Sequence, residues 1–171
     1  MTRSDFVDDA VRGWRQIRPD INVASLEVVQ HLIWSGRLAD DILERTAIAS
    51  GLRRRGDYEV LVLLRRSEPS LLTPLEVAEK LHTSPSGMTA KLDRLENLGL
   101  ITRTQDTDDR RVIRLGITDT GRTMSDTAFD TSLKVYEAML DTLTPAEAQT
   151  LNGLLNKLLK RLDNLSELRQ R

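Results

Sequence analysis

Residues 84–98 read SPSGMTAKLDRLENL and residues 99–117 read GLITRTQDTDDRRVIRLGI; the change of period between them decides the fold. In the first stretch Met88, Leu92, Leu95 and Leu98 recur at helical spacing and cluster on one side at about 100° per residue. Ser84 followed by Pro85 suits a helix start, since a serine oxygen accepts a free first-turn N–H and proline has none to leave unpaired. Leu98-Gly99 closes the helix, glycine being the usual left-handed residue past a helix end. The second stretch changes character. Residues 100–104 and 112–117 are rich in β-branched side chains and read as two strands around the polar turn 105–111. Upstream, Thr73-Pro74-Leu75-Glu76 starts another helix that ends near His82, three residues short of the next start. Two helices joined by a tight turn and followed by a two-stranded hairpin form a winged helix–turn–helix.

Working outward, residues 4–17 form an amphipathic segment that stops at Arg18-Pro19, because proline disfavours helix in the residue before it. A long helix starts near Asn22 or Ser25 and reaches about Ala49, where Ser50-Gly51 closes it. Residues 56–66 make a short helix buried through Val60, Leu61, Leu63 and Leu64. Beyond the hairpin, Thr118-Asp119-Thr120-Gly121 caps a helix running to about Leu140, and Thr144-Pro145-Ala146-Glu147 opens the last one. Leucines at 151, 154, 155, 158, 159, 162, 165 and 168 form a long stripe, too apolar to stay solvated and more suited to an interface than a cofactor site. The expected architecture is mostly α with a small β-hairpin wing. A winged helix–turn–helix head occupies residues 51–117, and N-terminal (1–50) and C-terminal (118–171) helices serve dimerisation.

Composition bounds the function. The 171 residues carry 25 Lys+Arg against 26 Asp+Glu, a net charge of -1 that argues against coating nucleic acid by bulk attraction and leaves room for a small local set of basic residues. The absence of cysteine excludes disulfides, thiolate metal sites and thiol redox sensing, and His31 and His82 lie too far apart in sequence to suggest zinc. No cofactor is implied. The chain lacks a glycine-rich phosphate loop, a nucleophile motif and a metal-ligand cluster, so an enzyme is not expected. No run approaches the roughly 18 to 20 uncharged apolar residues of a membrane span, and the first residues interleave acids with apolar side chains; a cytoplasmic chain is expected.

The candidate reading head is the helix that begins at Ser84. Hydroxyls of Ser84, Ser86 and Thr89 near its start suit phosphate contacts in the major groove, while Arg94 reaches toward a base edge. At the hairpin tip, Arg110 and Arg111 suit a narrow minor groove, and Asp109 holds the turn by a charge-assisted hydrogen bond. An ordinary capped surface helix and a solvated charged turn are the alternatives for each part alone. Their combination in this order favours double-stranded DNA, and a head that binds only protein would need neither feature.

The ordered set Leu75-x-x-x-Ala78-x-x-Leu81, Ser84-x-Ser86-x-x-Thr89, Asp93-Arg94-Leu95-Glu96-x-x-Gly99-Leu100-Ile101-x-Arg103, Asp109-Arg110-Arg111 and Leu115-x-Ile117-Thr118-x-x-Gly121 resembles the MarR family of bacterial transcription regulators. Gly51-Leu52 and Leu143-Thr144-Pro145-x-Glu147 extend the resemblance over almost the whole chain. It implies a homodimeric repressor with interlocked terminal helices, one winged head per subunit on a palindromic operator, and release by a small aromatic or anionic effector. The half-sites would lie roughly 10 bp apart, centre to centre. An N-terminal helix bearing Trp14 is similar to the urate-responsive subset, which uses a tryptophan, an aspartate on the third helix, an arginine on the recognition helix and an arginine in the wing. Trp14 and Arg103 match, while Glu59 and Lys91 stand at the middle positions. Lysine loses the two-pronged donor that suits a flat anion, and Lys91 lies about 45° from the apolar centre, open to pocket or DNA. The expected effector is an aromatic acid or related planar anion held by Arg103, with Lys91 as a second candidate cation; Trp14 either contacts it or packs in the core. The alternative class is a winged-helix protein-interaction module without ligand response.

Overall fold

The computed structural model describes residues 3–168. Its elements are α1 (Arg3–Ile17), α2 (Ala24–Ala49), α3 (Arg55–Ser67), α4 (Pro74–Lys80), α5 (Pro85–Asn97), β1 (Ile101–Gln105), β2 (Ile113–Ile117), α6 (Asp119–Leu140) and α7 (Pro145–Leu168). The chain divides into two compact units, Met1–Ser132 and Leu133–Arg171. The first carries α1 and α2 together with the winged head.

The α4–α5 pair follows from its caps. Thr73 Oγ1 accepts the Glu76 N–H at 3.2 Å while Glu76 Oε2 accepts the Thr73 N–H at 2.7 Å, a reciprocal box that satisfies two groups left free at the start of α4. That helix stops at Lys80, earlier than its periodicity suggests, because His82 adopts φ +47 and turns the chain toward α5. Ser84 Oγ then accepts the Gly87 N–H at 3.3 Å to start α5.

Met88, Leu92 and Leu95 bury the expected stripe of α5 against Val60, Leu61 and Leu64 of α3 and Val77 of α4 in one cluster. Leu98 departs from the expectation and is half exposed. It is the residue that caps the helix end, and Gly99 at φ +68 turns the chain just after it, so the helical wheel no longer applies there. β1 and β2 pair antiparallel, with Ile101 opposite Ile117 and Gln105 opposite Ile113. The segment before α4 adds an isolated bridge, Leu72 to Leu115, with the Leu115 N–H donating to Leu72 O at 2.8 Å. Gly121 is required by close approach, since a Cβ there would lie 2.0 Å from the Leu100 carbonyl oxygen. Thr118 completes that junction: its Oγ1 donates to Gly99 O at 2.8 Å and accepts the Gly121 N–H at 3.0 Å.

Val7, Val11 and Val23 form a second small core with Leu26 and Trp34 packed on it. Phe6 meets Trp34 edge to face at 5.9 Å, and the Arg37 guanidinium lies 5.2 Å from the Trp34 ring centre. In the second unit, Thr144 and Glu147 exchange hydrogen bonds at the start of α7. The leucine stripe of that helix lies open on the single chain: Leu154 is 62% exposed and Leu159 58%. Among the described residues, no helix is long and apolar enough to cross a membrane.

Candidate nucleic-acid interface

Ser84, Ser86 and Thr89 all lie exposed at the start of α5, where the buried Met88 anchors the same turn to the core. Ser84 Oγ and Ser86 Oγ are 3.4 Å apart, and Thr89 Oγ1 donates to Pro85 O at 3.0 Å. The hydroxyls are therefore held on the first turn, beside backbone N–H groups that favour an anion.

Arg94, read from the sequence as the side chain that reaches a base edge, is turned back onto α3. Its Nη2 donates to Asp57 Oδ1 at 2.7 Å and its Nε to Oδ2 at 3.4 Å, and Nη1 bonds Ala90 O at 3.0 Å. Asp57 has no exposed surface at all, and Arg94 is 27% exposed. The physical reason is that a buried carboxylate demands a cation, and among the described residues Arg94 is the one paired with it. In return the carboxylate raises the arginine pKa and keeps the guanidinium charged. Arg94 therefore lies against α3, with its guanidinium bonded to Asp57 and to the Ala90 carbonyl.

The wing turn is held by two aspartates. Asp109, the expected one, bonds Arg111 through Nε at 3.0 Å, Nη2 at 2.9 Å and the Arg111 N–H at 3.0 Å. Arg111 pulls the Asp109 pKa down and stays exposed. The second, Asp106, was not singled out by sequence reasoning. Its Oδ1 accepts the N–H groups of Asp108 at 2.8 Å and Asp109 at 3.3 Å, while Oδ2 accepts Arg114 Nε at 2.6 Å. The Arg114 guanidinium first, then those two amides, pull the Asp106 carboxyl down to about 2. Arg110 is exposed and makes no side-chain hydrogen bond or ion pair among the described residues.

Of the four residues expected around an effector, the structure brings two together. Glu59 and Lys91 line one cleft of about 320 Å³ with Asp40, Arg54, Arg55 and Arg94. Arg55 joins its walls: its N–H donates to Glu44 Oε2 at 2.8 Å, its Nε lies 3.0 Å from Glu59 Oε1, and its Nη1 bonds Asp40. Lys91 lies flat over Gly56, where a Cβ would meet its Cε at 2.7 Å, and donates to Thr83 Oγ1 at 3.3 Å. It therefore faces the cleft and not the outer side of α5. Arg103 and Trp14 do not line this cleft. Arg103 pairs with Asp93 at 2.7 Å and Glu96 at 3.3 Å, both on α5, and Trp14 is 49% exposed on α1.

Helix pair, wing and the Leu72–Leu115 bridge define a winged helix–turn–helix protein. The family model described as MarR family matches residues 55–113, from the start of α3 to the first residue of β2. The HTH-type transcriptional regulator PecS of Dickeya dadantii is 29% identical over 165 residues, 96% of this chain and 99% of that one. The uncharacterized HTH-type transcriptional regulator YpoP of Bacillus subtilis is 33% identical over 107 residues, 63% of this chain and 74% of its own. Among solved structures, a mutant MarR from E. coli complexed with operator DNA superposes with a TM-score of 0.67 at 22% identity, covering 85% of this chain and 97% of that one. The chain belongs to the MarR family of winged-helix transcription regulators, which are not enzymes.

Proposed function

We propose that this regulator is a sequence-specific repressor that binds a palindromic DNA operator as a homodimer and is released by a small aromatic or anionic effector. One observation carries the DNA reading: the wing turn is fixed by two aspartates while Arg110 at its tip is left without a partner among the described residues. A cation held out on a rigid turn suits the negative potential of a minor groove. Ser84, Ser86 and Thr89 supply the phosphate contacts on α5, and Arg111 supports the tip. Arg94 acts by holding α5 onto α3. Dimerisation uses residues 1–50 and 118–171; the open leucines of α7 support this, because so long an apolar stripe gains by burial against a second copy. Glu59 and Lys91 support an effector site in their cleft, and Arg103 joins it by exchanging its α5 carboxylates for the ligand. Trp14 would flank it.

The test is fluorescence anisotropy on duplexes selected from a randomised pool. Arg110→Ala weakens binding by about 1 to 3 kcal/mol. An unchanged affinity at physiological salt would refute the wing contact, and failure of the unaltered protein to select any duplex would refute DNA binding. Calorimetric titration with urate, salicylate and xanthine judges the effector reading, which fails if none gives heat or releases DNA.

A further inference from the structure

Arg114 on β2 sits where three parts of the head meet. Its Nε holds Asp106 at 2.6 Å, and Asp106 in turn accepts the turn amides of Asp108 and Asp109. Its Nη1 donates to Leu71 O at 3.3 Å, in the segment whose next residue bridges Leu115. The same nitrogen lies 3.8 Å from Glu76 Oε2, the oxygen that caps α4 through the Thr73 N–H. A single guanidinium therefore joins the wing turn, the segment before α4 and the first helix of the helix–turn–helix. A guanidinium, with five N–H donors in a flat fork, reaches partners in several directions while staying charged. A two-stranded hairpin is marginal by itself, so its tip needs such an anchor to keep a fixed position.

We propose that Arg114 is a positioning residue for DNA binding: through Asp106 and Glu76 it fixes the wing tip, and with it Arg110, relative to the α4–α5 pair, without touching DNA itself. The inference rests on the DNA-binding reading above. The wing and the recognition helix then present their contacts as one rigid body, and less conformational freedom is lost on binding.

The test is a double-mutant cycle on the selected duplex, using the full chain with Arg110→Ala, Arg114→Gln and both together. Arg114→Gln is expected to weaken binding about tenfold alone, within the range for one lost contact, and to change little in the Arg110→Ala background. A full additive loss in that background overturns the proposal, because Arg114 would then act on DNA independently of the tip. Asp106→Asn, which keeps an acceptor for the turn amides but removes the charge facing Arg114, should behave like Arg114→Gln. Backbone order parameters give a readout without DNA. They should fall across residues 107–111 in Arg114→Gln while the melting temperature of the core stays the same. Unchanged order there overturns the proposal even if DNA binding is confirmed, and an unaltered protein that selects no duplex overturns the DNA-binding reading with it. Arg114→Lys restores affinity only if charge alone suffices, a result that also counts against the multi-pronged anchor.

Discussion

Replacing Arg94 by methionine tests whether this arginine holds the fold. Asp57 is fully buried, and its side-chain hydrogen bonds among the described residues all come from Arg94, at 2.7 and 3.4 Å. Methionine fills similar volume but leaves a carboxylate in the core facing no cation. Removing one partner of a buried pair costs about 3 to 5 kcal/mol, a large share of the 5 to 15 kcal/mol that holds a typical domain together. The reverse change should be milder. Asp57→Asn keeps shape and one acceptor oxygen, while Arg94, 27% exposed, keeps its bond to Ala90 O and can reach water. The loss there is about 1.5 to 3 kcal/mol, the range for a hydrogen bond to a charged group. The assay is urea unfolding at one fixed protein concentration, since self-association would otherwise shift the curve. A loss of about 4 kcal/mol lowers the midpoint by more than about 1 M. The double variant should lose less than the sum of the two, because the buried charge that Arg94→Met strands is absent once residue 57 is a neutral amide. An Arg94→Met protein within about 1 kcal/mol of the parent, or an Asp57→Asn protein that loses more than Arg94→Met, would refute the reasoning.

Two further outcomes are expected. Gly121→Ala drives a Cβ to 2.0 Å from the Leu100 backbone oxygen, which cannot rotate away; it should cost about 1 to 3 kcal/mol and lower the melting temperature by several degrees, and an unchanged melt would contradict the close approach. Asp106 should titrate near 2 in the folded protein, below the ordinary 3.8, so its contribution to wing order is present above the ordinary value and is lost as pH falls toward 2. Carbon-detected NMR of the carboxyl follows this directly. Arg114→Gln should move the midpoint up toward the ordinary value, and a parent midpoint near 4 would mean the Arg114 contact does not form in solution.

The elements were readable because their determinants are local. Thr73 and Glu76 sit three apart and make the box their spacing predicts, and the 3.6-residue period of Met88, Leu92 and Leu95 buries the side it points to. Leu98 marks where this reasoning ends, at the residue where helical geometry stops. The site was less readable, for a reason of distance along the chain. Asp57 lies in the first turn of α3, where a carboxylate is favoured by the helix dipole and gives no sign of burial. Its partner lies 37 residues away. No spacing rule links two such positions; only the packing of α5 on α3 does, and it turns Arg94 toward the buried carboxylate. Asp106 and Arg114 fail to announce themselves in a milder way. They are eight apart across a hairpin, so their meeting follows from the register Thr104 to Arg114, which places Arg114 beside the strand leading into the turn. A signal existed there, since opposite charges placed diagonally across a hairpin lie within reach of each other. Counting arginines in the head could not show which of them was free: Arg94 and Arg114 are paired within the scaffold and Arg111 is tied to Asp109, so a head with little net positive charge still leaves Arg110 unpaired among the described residues. Specificity in such a head depends on where its cations are held more than on how many it has.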